Sequence, residues 1–148
     1  MKLNRDSAAV QFVKYGMVGV LNTLITLFAI YVCKSIIGIN PFVSNAIGYI
    51  LGVLNSFIWN KTWVFHAKGH VSSEAVKFFL GFGVCYLIQL FVVWALTVHS
   101  PLKDAQWDIY SFTLSGYGVA TIIGSVVYTV ANFIFNRLIT FKTRHKTA

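Results

Sequence analysis

Two dipeptides, Asn60-Lys61 and Asn136-Arg137, each set an amide beside a cation at the end of a long apolar run. An amide next to a cation can hold a phosphate group through charge-assisted hydrogen bonds, and at a membrane surface that phosphate would belong to a lipid. Lys14 and Lys77 stand at the starts of the two other apolar runs. The candidates for binding a lipid phosphate are therefore Asn60, Lys61, Asn136, Arg137, Lys14 and Lys77, with snorkelling and topology anchoring as the plainer role for the cations. Inside the runs lie Asn22, Thr26, Asn45, Asn55, Ser56, Gln89 and Asn132. Neutral amides and hydroxyls are costly against lipid, so these should line a polar path or bond between helices.

Other chemistry is thinly represented. The four acids, Asp6, Glu74, Asp104 and Asp108, all fall outside the charge-free runs. Proton- or cation-coupled carriers usually keep an ionisable group at membrane depth, so coupling of that kind is not expected, and a small multidrug exporter with its buried glutamate is disfavoured. Asp104 and Asp108 read as solvated loop carboxylates rather than a general acid and base. His66 and His70 have the i, i+4 spacing of metal ligands but no third ligand nearby, so no metal is expected. With no nucleotide-binding motif and no catalytic cluster, the chain does not read as an enzyme, and no cofactor is implied.

These residues must be positioned by membrane helices. The 148-residue chain is 57% hydrophobic and only 11% charged, with a mean hydropathy of +0.70, too little polar surface for a water-soluble domain. A spanning helix needs roughly 20 apolar residues. Four runs qualify, giving spans near 13–36, 41–60, 78–98 and 109–136 in a single domain over 1–148. The first is long enough to span and carries no small-residue cleavage site, so it reads as a span and not a signal peptide. The last exceeds the bilayer and should tilt or project from it.

With four spans, ten of the twelve Lys and Arg residues fall on the side of the termini, leaving only Lys34 and Lys103 opposite. The positive-inside rule then makes both termini cytoplasmic. The net charge of +8 is explained by topology and anionic lipid, without nucleic acid. Cys33 lies about 28 Å along its helix from Lys14, and Cys85 about 12 Å from Lys77. That difference in depth argues against a disulfide and leaves both as packing residues.

The chain also reads as a duplication. Residues 45–65 laid over 121–141 match at Ile47/Ile123, Gly48/Gly124, Phe57/Phe133, Ile58/Ile134, Asn60/Asn136 and Phe65/Phe141, with Lys61 over Arg137. A second offset sets Lys14 over Lys77, Asn22 over Cys85 and Thr26 over Gln89. The fold class is thus an all-α membrane protein of four helices, built as two helical hairpins in parallel repeat. Gly48, Gly52 and Ser56, and likewise Gly116, Ala120 and Gly124, recur every four residues and mark packing seams. Asn40-Pro41 suits a helix cap and first turn, and Ser100-Pro101 breaks the chain after the third helix.

Phe12-Val13-Lys14-Tyr15-Gly16, Val18-Gly19-Val20-Leu21-Asn22-Thr23, Asn45-Ala46 with Gly48-Tyr49, and Asn60-Lys61-Thr62-Trp63-Val64-Phe65 with its echo Asn136-Arg137-Leu138-Ile139-Thr140-Phe141 together resemble the GtrA-like small membrane proteins. The namesake of that family is a bactoprenol-linked glucose translocase. The resemblance runs from Phe12 to Phe141, with Thr26 departing where many relatives have an aspartate. It implies flipping of a polyprenyl-phosphate-linked sugar across the cell (inner) membrane, for decoration of surface polysaccharide or teichoic acid. The alternative is a non-transporting accessory subunit of a membrane glycosyltransferase, which is in either case a candidate partner. Four helices leave little room for a groove, so a homo-oligomer is expected.

Overall fold

The computed structural model describes residues 7–99, 106–109 and 112–142. Lys2, Arg5, Asp6, Ser100, Pro101, Lys103, Asp104, Arg144 and Lys146 lie outside them. Four long helices dominate: α1 (Ala8–Tyr31), α2 (Pro41–Trp59), α3 (Val71–His99) and α4 (Gly116–Phe135). Three start on side-chain caps. The Ser7 Oγ accepts from the Val10 N–H, Asn40 Oδ1 from the Phe42 N–H at 2.9 Å, and Ser115 Oγ from the Gly118 N–H. Asn40 is followed by Pro41 at the first helical position, where no N–H is missed.

Helices α1, α2 and α4 each run on into a five-residue π turn, at Val32–Ile36, Asn60–Val64 and Asn136–Thr140. The helical segments then measure 29, 24, 29 and 25 residues, each enough to cross roughly 30 Å of hydrocarbon. Their surfaces are apolar: Val20 is 64% exposed, Phe28 69% and Phe91 64%. Only lipid covers so much exposed hydrocarbon, and the protein is a multi-pass membrane protein.

The first helix starts earlier than expected, at Ala8, and the second and fourth run on to Val64 and Thr140, but two boundaries differ most from those read in the sequence. Helix α3 starts at Val71, well before residue 78, so Glu74 sits in its first turn and is buried at 6% exposure. The expectation that every acid lies outside the spanning helices fails there, because a helix does not stop where charge appears. At the other boundary, Ile109 is not helical. Strands β1 (Gln106–Ile109) and β2 (Phe112–Ser115) pair antiparallel, with Gln106 opposite Ser115 and Ile109 opposite Phe112. Lack of charge does not distinguish strand from helix, and Trp, Ile, Phe and Thr favour strands. The excess length expected of the fourth span is this β-hairpin.

The chain divides into two compact units, Met1–His70 with Phe141–Ala148, and Val71–Thr140. The first holds the α1/α2 hairpin, the second α3/α4. Glycines set the crossing in each. A Cβ on Gly48 would lie 2.6 Å from Ile30 Cγ1 and 2.9 Å from the Thr26 carbonyl, and one on Gly124 would lie 2.7 Å from Val93 Cγ2 and 3.3 Å from Gln89 Cγ. The same two offsets that align Lys14 with Lys77 and Asn60 with Asn136 carry one crossing onto the other. The small-residue seams therefore close each hairpin upon itself. In the first unit Phe141 stacks on Phe65, with ring centroids 5.3 Å apart, and lies 5.9 Å from Phe57.

Candidate functional site

Each hairpin has a turn end and an open end, where the chain enters and leaves. The phosphate candidates gather at the open ends. In the first hairpin, Lys14 Nζ sits 5.3 Å from the ring centroid of Trp63, which packs T-shaped with Trp59. Lys61 Nζ donates to the Gly69 carbonyl at 2.8 Å. Two bonds close the turn behind it, from the Phe65 N–H to the Asn60 carbonyl and from the Ala67 N–H to the Lys61 carbonyl. His66, between them, takes a left-handed φ of 49°.

The amides beside these cations are not surface groups. Asn60 is 1% exposed and Asn136 0%. Asn60 Nδ2 donates to the Ser56 carbonyl at 2.8 Å and to Ser56 Oγ at 3.1 Å. A backbone carbonyl can only accept, which fixes the amide with its nitrogen toward Ser56 and spends its donors within the helix. Asn136 Nδ2 donates to Asn132 Oδ1 at 3.3 Å, and Asn132 Nδ2 donates to Tyr128 Oη. Ser56 and Asn132 are equivalent in the repeat, so the two halves build this feature twice. Among the described residues, Asn60 Oδ1, Asn136 Oδ1 and Thr140 Oγ1 are buried without a hydrogen-bond partner, and so is Gln11 Oε1 on α1. Each such atom costs about 1–3 kcal/mol while it stays unmatched. Asn60, Asn136 and Thr140 lie on π turns, a local geometry that recurs at functional sites.

At the open end of the second hairpin, Arg137 is half-buried and Lys77 exposed. Neither makes a hydrogen bond, ion pair or ring contact among the described residues.

The polar residues within the spans separate into local contacts. Asn55 Nδ2 donates to Asn22 Oδ1 at 2.7 Å, tying α2 to α1. Gln89 Nε2 donates to Ser125 Oγ at 3.4 Å, tying α3 to α4. Thr26 Oγ1 packs against Gly52. Asn45 is exposed near the turn end and donates to the Pro41 carbonyl of its own helix. Ser125, Tyr128, Trp63 and Thr140 are the contributors that residue type alone did not single out. For Trp63 and Thr140 the repeat offsets held a signal, since their counterparts, Ile139 and Val64, differ in character. Cys33 and Cys85 are free thiols.

Residues 14–141 match the model of a family described as "GtrA/DPMS, transmembrane domain". A protein of Listeria innocua serovar 6a named "Cell wall teichoic acid glycosylation protein GtcA" is 26% identical over 133 residues, covering 88% of this chain and 83% of that protein. The "Bactoprenol-linked glucose translocase" of Shigella phage SfV is 28% identical over 133 residues, covering 88% of this chain and 94% of the relative. The "Uncharacterized membrane protein YwcD" of Bacillus subtilis is 24% identical over 128 residues, covering 86% of this chain and 94% of its own length.

Proposed function

The chain belongs to the GtrA/DPMS transmembrane-domain family, and on that premise we propose that it translocates a polyprenyl-phosphate-linked sugar between membrane leaflets. The observation that carries this reading is its end-to-end similarity to a bactoprenol-linked glucose translocase and to a teichoic acid glycosylation protein. The role is non-enzymatic, with a membrane glycosyltransferase consuming the delivered sugar. Charge puts both termini, and the open ends of the hairpins, in the cytoplasm.

Physical chemistry supplies the rest of the reading. The isoprenoid tail stays in hydrocarbon throughout, so only phosphate and sugar need a polar route. Cations at the open ends draw in the phosphate. Beyond them the spans offer neutral groups, Asn22 with Asn55 and Gln89 with Ser125, which bond helix to helix. Such bonds are individually weak in a membrane, about 0.6–2 kcal/mol, and exchange readily with sugar hydroxyls. Glu74 lies in the first turn of α3, at the open end, so the route needs no titrating group at mid-depth. Consumption of the sugar on the far side gives the exchange its direction. A homo-oligomer supplies the groove that four helices alone leave too narrow.

Proteoliposomes containing glucose linked to a short polyprenyl phosphate test the proposal. The expected result is rapid access of an impermeant oxidant to the inner-leaflet sugar, against slow access in empty vesicles. Equal rates would overturn it and leave the accessory-subunit role.

A further inference from the structure

The two hairpins repeat each other in backbone and crossing, yet not in the state of their cations. Lys14 lies over Trp63 and Lys61 is bonded to the Gly69 carbonyl. In the second hairpin the position of Trp63 is taken by Ile139, which offers no ring to a cation. Lys77 and Arg137 make no hydrogen bond, ion pair or ring contact among the described residues. The π turns differ in the same sense. The turn at Asn60–Val64 has one buried polar side-chain atom without a partner, Asn60 Oδ1, and that at Asn136–Thr140 has two, Asn136 Oδ1 and Thr140 Oγ1, while a fourth such atom, Gln11 Oε1, lies on α1 of the first hairpin. Thr140 stands where the first turn has Val64. Thr23, Thr62, Thr121 and Thr129 all return their hydroxyl to the carbonyl one turn earlier, and Thr140, 2% exposed, does not. Of these atoms only the Thr140 hydroxyl can donate to a phosphate oxygen, because the amide oxygens are acceptors, as the phosphate oxygens are.

Helix geometry sets the two free cations at similar depth. The ring of Phe135 packs directly on Gly81, so α3 and the end of α4 approach closely. Lys77 lies one turn from Gly81 toward the open end, roughly 6 Å, and Arg137 lies about 3 Å beyond Phe135 in the same direction. Arg137, two residues past Phe135, leaves its helix on the side away from Gly81, so its long side chain meets a group held by Lys77 by bending around the open end. Arginine's fork matches two phosphate oxygens, and lysine adds a point charge.

We propose that the second hairpin alone holds the phosphate of the carrier lipid, with Arg137 as the bidentate contact and Lys77 as the second cation, and that Lys14 and Lys61 brace the first hairpin. This rests on the translocation reading, and it breaks the twofold equivalence that the sequence repeat suggests.

The test uses the full chain in phosphatidylcholine nanodiscs titrated with undecaprenyl phosphate, with phosphatidylglycerol as competitor. R137Q and K77Q each weaken binding about tenfold or more, K61Q and K14Q less than threefold, and R137K falls between, because it keeps the charge and loses the fork. Thermal melts check that each variant is folded. Should R137Q fail that check, K77Q against K14Q makes the same comparison from within straight helices. A K61Q loss as large as that of R137Q, or no loss in R137Q, overturns the proposal. Competition by phosphatidylglycerol at equal mole fraction also overturns it, by making the site a general anionic-lipid contact. If wild type translocates sugar while all four cations matter equally, this inference falls and the translocation reading stands. If Arg137-dependent binding occurs without translocation, the reverse holds.

Discussion

Alanine at the two crossing glycines should give different results although the positions are equivalent in the repeat. At Gly48 the new methyl group meets Ile30 Cγ1 at 2.6 Å and the Thr26 carbonyl oxygen at 2.9 Å, while ordinary contact begins near 3.4 Å. Backbone must therefore recede by about 0.5 Å, and overpacking of that kind costs about 1–3 kcal/mol. Alanine's better helix propensity returns about 1 kcal/mol, leaving G48A destabilised by up to about 2 kcal/mol. At Gly124 the close contact is with a side-chain methyl of Val93, and the Gln89 carbonyl stands at 3.5 Å. Displacing Val93 from its rotamer costs about 0.5–1.5 kcal/mol, which alanine's propensity nearly cancels. Reversible unfolding in mixed micelles, titrated with dodecyl sulfate, measures both. I30A should rescue G48A only in part, because the Thr26 carbonyl stays in place. Equal losses at the two glycines, or full rescue by I30A, would refute the argument that backbone blocks the first crossing.

Three further outcomes follow from contacts already described. A double-mutant cycle of N22A and N55A in the same unfolding assay should give a coupling of about 0.5–2 kcal/mol, the range for interhelical bonds in membranes. A cycle of K14M and W63L should give about 0.5–1 kcal/mol, the value of a cation–π contact at a partly exposed site. Cysteine labelling with an impermeant maleimide should reach position 38 from outside intact cells and position 70 only after permeabilisation. Outside labelling at position 70 would overturn the topology read from charge.

The helices were legible because membrane spans announce themselves by length and hydropathy, and the Asn40-Pro41 cap because capping is local chemistry. The boundaries at Val71 and Gly116 were not, since charge and its absence stand in only loosely for helix and strand. The repeat was legible as identities such as Gly48 with Gly124, and the crossing glycines then followed. What sequence could not supply was the state of each polar group. Asn60 looks like a donor for phosphate until the Ser56 carbonyl is seen to occupy it, and Lys61 looks free until Gly69 is found against it. Those pairings depend on which residues a turn returns to the same end, and no spacing rule carries that.

Phe141 has a consequence for how the protein is made. In the aromatic cluster of the first unit, Tyr15 meets Phe65, and the ring that meets both Phe65 and Phe57 comes from Phe141, which follows the whole second hairpin in the chain. While the chain is being synthesised, the α1/α2 hairpin can cross at Gly48 and pair Asn22 with Asn55 as soon as it enters the bilayer, because every partner is already present. Its aromatic cluster stays unfinished until Phe141, beyond the whole second hairpin, has been added. Termination just before Phe141 would therefore leave the second hairpin whole and injure the first, so the earlier hairpin reports whether synthesis has passed the later one.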